Sequence, residues 1–127
     1  MKNDDHNYLR HIQDFIARIL DYTKGGKTAF FASPQIQDAV VRNIEIIGEA
    51  VKNLSPELKA KRPEIPWRLI GRMRDKLIHH YFGLDLNLVW EVVELHIPPL
   101  QLAVIATLKD LDDSSEPPSS SPAPPAQ

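Results

Sequence analysis

The sequence predicts an all-α protein: a bundle of four long helices plus short extra helices. Three observations lead there. Apolar residues recur at three- and four-residue steps through nearly all of the first 112 positions, which is the period of a helix face. No segment shows the strict alternation of a half-buried strand. Helix punctuation, chiefly Ser-Pro, Gly-Gly and Pro-Pro pairs, falls between the periodic segments.

The first helix is expected from roughly Asp5 to Tyr22, where Leu9, Ile12, Ile16 and Ile19 line one face. Gly25 and Gly26 end it, because glycine readily adopts conformations that leave a helix. Ser33 and Pro34 open the second helix: serine is a good N-cap, and proline at the first helical position loses no intrahelical bond. Ile36, Val40, Ile44, Ile47, Val51 and Leu54 form its stripe. Ser55-Pro56 starts a short helical turn, and the prolines of "KRPEIP" make a rigid connector. Pro66-Trp67 opens the third helix, with Ile70, Met73, Leu77 and Tyr81 on one face and Gly83 as its exit. A fourth helix begins near Asp85 with Leu88, Val89, Val92 and Val93. Pro98-Pro99 is expected to kink or break it, and Leu102, Ile105, Leu108 and Leu111 continue as a last helix.

Some stripes are wider than one face. Val40 is followed by Val41 and Ile46 by Ile47, so either the core is broad or a second subunit covers the additional face. From Ser114 the composition becomes "SSEPPSSSPAPPAQ", which holds no large apolar residue. Such a segment buries too little surface to offset its ordering entropy, so the domain is set at 1–112 and a disordered Pro/Ser-rich tail at 113–127.

Composition narrows the chemistry. The chain has 127 residues, 43% of them hydrophobic, and no cysteine, which removes disulfides, thiol catalysis and thiolate metal sites. No uninterrupted apolar run approaches the roughly 20 residues of a membrane span. The opening "MKNDDHNYLR" lacks the apolar segment of a signal peptide, so the expectation is a cytoplasmic protein with no membrane partner. The net charge of −2 is unevenly laid out. Lys59, Lys61, Arg62, Arg68, Arg72, Arg74 and Lys76 crowd one stretch with only Glu64 and Asp75 among them. That stretch is either a solvated helix face or a surface for a polyanion.

Two motifs fail. "GGKT" at Gly25–Thr28 resembles the end of a phosphate-binding P-loop, but Asp21 occupies the position of the required first glycine and no buried strand precedes it. His6, His11 and His96 are scattered, and the adjacent His79 and His80 point in different directions on a helix, so no metal site is expected.

The stretch "RMRDKLIHHYFGLD" carries more. Arg74 and Tyr81 are seven residues apart and share a helix face; Asp75 and His79 are four apart and can meet. Arg74 and His79 are separated by about 140° around a straight helix. They would converge on one phosphate if the helix loosened near Gly83, or in a groove between two copies. Histidine moves protons near neutral pH and arginine binds phosphoryl oxygens bidentately, which together suit metal-free RNA cleavage. The ordinary alternative is packing: Arg74 on a surface acid, His79 at a helix end and Tyr81 in the core.

"RDKLIHHY" resembles the Arg-x4-His-x-Tyr motif of the HepT-like toxins, a branch of the HEPN superfamily. "RNIEIIGEAVKNLS" is similar to that family's second-helix signature, and "IPWRLIGRMRDKLIHHYFGLDLNLVW" to its third helix and following turn. The likeness extends from about Tyr8 to Leu111. It implies an up-and-down helical bundle that dimerises, with two motifs in a shared cleft, and a metal-independent endoribonuclease toxin that needs no cofactor. It places Arg74 and His79 at the catalytic positions and Tyr81 at the tyrosine that receives AMP from a minimal nucleotidyltransferase (MntA-like) antitoxin. The implied partners are thus RNA, that antitoxin and a second copy, with no DNA. Arg72 departs from relatives that have a small residue there; it either strengthens phosphate binding or pairs with an acid. Asp75 stands where other superfamily members often have asparagine, and could support His79. Glu45 and Glu49, one turn apart, either face the cleft and hold Arg74, lie exposed, or contact the dimer mate. Two other readings stay open: a non-catalytic helical partner of a nucleotidyltransferase, and a nucleotide-binding module.

Overall fold

The computed structural model describes residues 2–78 and 85–115; the side chains of Arg74, Leu77 and Ile78 are left aside, as are those of residues 2, 3, 114 and 115. All regular structure among the described residues is helical. The expected Gly83 exit and residues 116–127 of the expected tail lie outside the described residues.

Helix α1 (Lys2–Tyr22) buries Leu9, Ile12, Ile16 and Ile19 completely, as their period requires. Asp4 and Asp5 in its first turn complement the helix dipole. The chain leaves α1 through Gly26, whose φ of +89° is open to glycine without strain. A short helix α2 (Gly26–Ala32) follows, in a stretch where the sequence suggests only a break. Seven residues are too few to display a period. What holds them helical is Phe30, fully buried with its ring 5.3 Å from that of Trp90.

Helix α3 (Pro34–Lys52) starts as expected: the Ser33 hydroxyl accepts from the Ile36 N–H at 3.2 Å, and Pro34 takes the first position. Helix α4 (Pro56–Lys61) repeats the device with Ser55 and Leu58. Ser55 also donates its N–H (2.8 Å) and its hydroxyl (2.6 Å) to the buried carboxylate of Asp5, tying α4 to the start of α1. The Trp67 indole N–H is shared by the Lys59 and Arg62 carbonyls at 3.2 and 3.0 Å. It thereby satisfies the end of α4 from the first residue of α5 (Trp67–Ile78).

Asp85 caps α6 (Leu86–Glu91), accepting from the Leu88 N–H. Pro98-Pro99, where a kink or break is expected, does not end the helix. Instead, α6 runs through a π-helical turn (Val92–His96) into α7 (Ile97–Ser115). The Ile97 N–H reaches back five residues to the Val92 carbonyl. This wide turn lies where a proline ring would strike the carbonyl four residues earlier, so the strain is absorbed and the rod continues. Helix α7 extends to Ser115, three residues past the expected boundary at 112.

Helix α1 packs on α3 and α7, and α5 packs on α3. The Leu86–Asp113 rod is long and apolar enough by composition to cross a membrane, which a search for uninterrupted apolar runs overlooked. Its Val89, Val92, Val93, Ile97, Leu100 and Val104 are core residues of the bundle. Ile44 and Ile47 of α3, Ile70 and Met73 of α5, and Val92, Ile97 and Leu100 of the rod, with His96, line one small void of about 10 Å³.

Candidate functional site

Helix α5 carries the predicted chemistry and is held by α3. The two helices approach closely where glycines face each other: a Cβ placed on Gly71 would stand 4.0 Å from the Gly48 carbonyl oxygen and 3.2 Å from Lys52 Cγ. Small residues at a crossing let backbones come together, so side chains flanking Gly71 gather beside those near the end of α3.

The backbone of Arg74 belongs to α5, one turn beyond Ile70 and Gly71. His79 and Tyr81 lie outside the described residues. Arg72 is exposed on α5. Asp75 is half-exposed, with a carboxylate oxygen 3.9 Å from Lys52 Nζ across the α3–α5 seam. At that distance and exposure the pair contributes at most about 1 kcal/mol, so Asp75 is only loosely engaged. On α3, Glu45 is half-buried and Glu49 exposed, one turn apart. Glu45 precedes Gly48 by three residues, which places it by register on the side of α3 that meets α5. Among the described residues no group of three or more His, Asp or Glu side chains could hold a metal ion.

Beside this seam lies a feature that sequence reasoning missed. A groove of about 390 Å³ is lined by Val51, Lys52, Lys59, Trp67, Arg68, Gly71 and Arg72. It gathers cations from the end of α3, from α4 and from the first half of α5. The run from Lys59 to Lys76 signalled part of it. Lys52 joins only through the α3–α5 crossing, which charge counting along the chain does not show.

A family model described as ribonuclease HepT-like matches residues 12–106, a span holding the α3–α5 crossing and the whole Arg74-x4-His79-x-Tyr81 motif. The chain belongs to the HepT-like ribonuclease family.

Curated relatives agree. The HepT-like chain is 49% identical over 88% of its length to a Methanocaldococcus jannaschii protein described as "Gamma-glutamylcyclotransferase and putative RNase", of which it spans only 51%. It is 36% identical, over 91% of its length and 96% of the relative, to a "Putative RNase" of the same organism. It is 44% identical, over 80% of its length and 93% of the relative, to a "Probable ribonuclease HepT" of Thermococcus cleftensis. No solved structure matches the chain.

Proposed function

We propose that this HepT-like protein is a metal-independent endoribonuclease and the toxin of a toxin–antitoxin pair, acting in the cytoplasm as a homodimer. The observation that carries the reading is the Arg74-x4-His79-x-Tyr81 motif, which begins on α5 inside the span matched by the ribonuclease family. In the proposed reaction the ribose 2′-oxygen attacks the adjacent phosphorus and the bond from phosphorus to the 5′-oxygen breaks. His79 takes the 2′-hydroxyl proton, and a proton is returned to the departing 5′-oxygen, leaving a cyclic phosphate and a 5′-hydroxyl. Arg74 stabilises the charge that builds on the phosphoryl oxygens. Arg72 adds positive charge beside that pair and Asp75 orients His79, releasing its loose contact with Lys52 to do so. Glu45, on the α5 side of α3, is the better placed of the two acids to steady Arg74.

Silencing follows from the same geometry. A nucleotidyltransferase antitoxin passes AMP from ATP to the Tyr81 hydroxyl, releasing pyrophosphate. A phosphodiester then sits close in sequence to Arg74 and competes for the cation that substrate phosphate needs. The dimer is supported by spacing: on one straight helix, residues five apart such as Arg74 and His79 would point about 140° apart. It is also supported by an exposed apolar edge of the rod formed by Leu95, Leu102 and Ile105.

The test is cleavage of total RNA by purified protein in excess chelator, with wild type beside Arg74→Ala and His79→Ala, and sedimentation to give the oligomeric state. Cleavage that survives chelation and is lost in both variants is expected. No cleavage by wild type whose intact mass shows an unmodified Tyr81 would overturn the reading in favour of a docking partner.

A further inference from the structure

We propose that the basic groove between α3, α4 and α5 is a docking track for the RNA backbone, separate from the reacting pair and feeding substrate toward it; this rests on the ribonuclease reading above. The case begins with charge. Lys52, Lys59, Arg68 and Arg72 contribute four cations, and the described lining contains no acid. The whole protein carries a net charge of −2, so this concentration is local rather than a property of the surface at large.

These cations differ from their neighbour Arg62. That guanidinium is engaged by Asp110 at 2.8 Å and Glu64 at 3.8 Å and serves the fold. No described carboxylate pairs with Lys59, Arg68 or Arg72, and Lys52 meets Asp75 only at 3.9 Å. Phosphate oxygens would therefore displace little.

The groove is also built. The Trp67 indole fastens the last turn of α4 to the start of α5, fixing Lys59 beside Arg68. Gly71 leaves room for the Lys52 stem, whose Cγ would stand 3.2 Å from any Cβ there. The floor, of Val51, Trp67 and Gly71, is buried. Arg68 and Arg72 lie one turn apart on the helix that carries Arg74. Six residues separate Arg68 from Arg74, an axial distance of about 9 Å. By register Arg74 also stands about 120° round the helix from Arg68, so a strand held by phosphates along the groove passes part of the way round α5 to reach it. Contacts of this kind position a strand and carry no base specificity, which suits a track rather than a reader of sequence.

The test uses the full chain with His79→Ala, so that bound RNA is not cut, and a fluorescein-labelled single-stranded RNA titrated across a range of salt concentrations. The comparison is the same protein with Lys59→Gln and Arg68→Gln added; both positions lie outside the reacting motif. Two lost phosphate contacts should reduce the slope of log affinity against log salt by about 1.4, which weakens binding about 25-fold at 0.1 M salt. Lys59→Arg with Arg68→Lys keeps both charges and should restore binding. Unchanged affinity and slope would overturn the proposal, as would no RNA binding by the parent. Intact RNA binding with loss of the nucleotidyltransferase complex would assign the groove to a protein partner and also overturn it.

Cleavage measured with His79 intact, with and without the groove substitutions, separates this proposal from the reading beneath it. A raised KM with kcat retained in the groove variant is expected. Cleavage by wild type with no effect of the groove substitutions sinks the track alone. Groove-dependent binding without cleavage sinks the nuclease alone.

Discussion

The carboxylate of Asp5 and the backbone and side chain of Ser55, fifty positions apart, are joined by two hydrogen bonds of 2.8 and 2.6 Å. Ser55 simultaneously caps α4 through the Leu58 N–H. One serine thus links the first turn of α1 to the helix that brings Lys59 to the basic groove. Asp5→Ala leaves the Ser55 N–H without its acceptor. It should cost about 2 kcal/mol, the range for hydrogen bonds to a charged group. Urea unfolding measures it, and a loss below about 0.5 kcal/mol would mean water replaces the carboxylate freely.

Phe30 anchors the one helix that periodicity overlooks. Its ring is fully buried against Trp90 of α6 and stands edge-on to Phe31 at 5.3 Å. Phe30→Ala should destabilise the protein by about 3–5 kcal/mol. Phe30→Leu should cost far less. Equal losses in thermal unfolding would show that ring geometry, rather than filled volume, holds α2.

Gly71 separates stability from binding. In a helix interior, alanine is favoured over glycine by about 0.5–1 kcal/mol. The nearest neighbour of the added methyl among the described residues is Lys52 Cγ at 3.2 Å, part of a flexible stem able to shift. Gly71→Ala should therefore raise the unfolding midpoint while weakening RNA binding, because Lys52 is pushed from the groove. A drop in stability would show that α3 and α5, rather than the lysine, must give way.

Arg74→Lys and Tyr81→Phe address the proposed chemistry from opposite sides. Lysine keeps the charge but not the bidentate fork, so kcat should fall about 10²–10³-fold, the effect of losing one oriented donor in a reacting site. Phenylalanine removes the acceptor for AMP. Tyr81→Phe should cut RNA as wild type does and stay toxic when the antitoxin is co-expressed, with no added mass. Rescue of growth with an unmodified mass would mean the antitoxin works by covering the cleft instead.

Much of the scaffold was legible because its determinants are local. Ser33-Pro34 and Ser55-Pro56 announce helix starts within two residues, and the α1 stripe is a plain repeat. Helix α2 was not, since Phe30 is helical on account of a ring sixty positions away. The prolines at 98 and 99 were read for their local effect, and the compensating π-turn has no local signature. The roles proposed for Arg74 and His79 rest on resemblance, because their spacing on a straight helix would set them on different sides. The pairing of Lys52 with Asp75 and the four-cation groove depend on how α3 crosses α5, through Gly48 and Gly71. No window along the chain contains both helices.

The π-turn has a consequence for how the protein can vary. Val89, Val93 and Ile97 follow one another in steps of four, and each such step in an α-helix would carry the side chain about 40° farther round the axis. The wider turn at Val92–His96 winds more slowly and keeps all three in the core. It works as a phase shifter between two helices that are sequentially one. Removing a single residue there would rotate α6 relative to α7. A one-codon deletion would then change, by rotation alone, how this rod meets Ile70 and Met73 of α5.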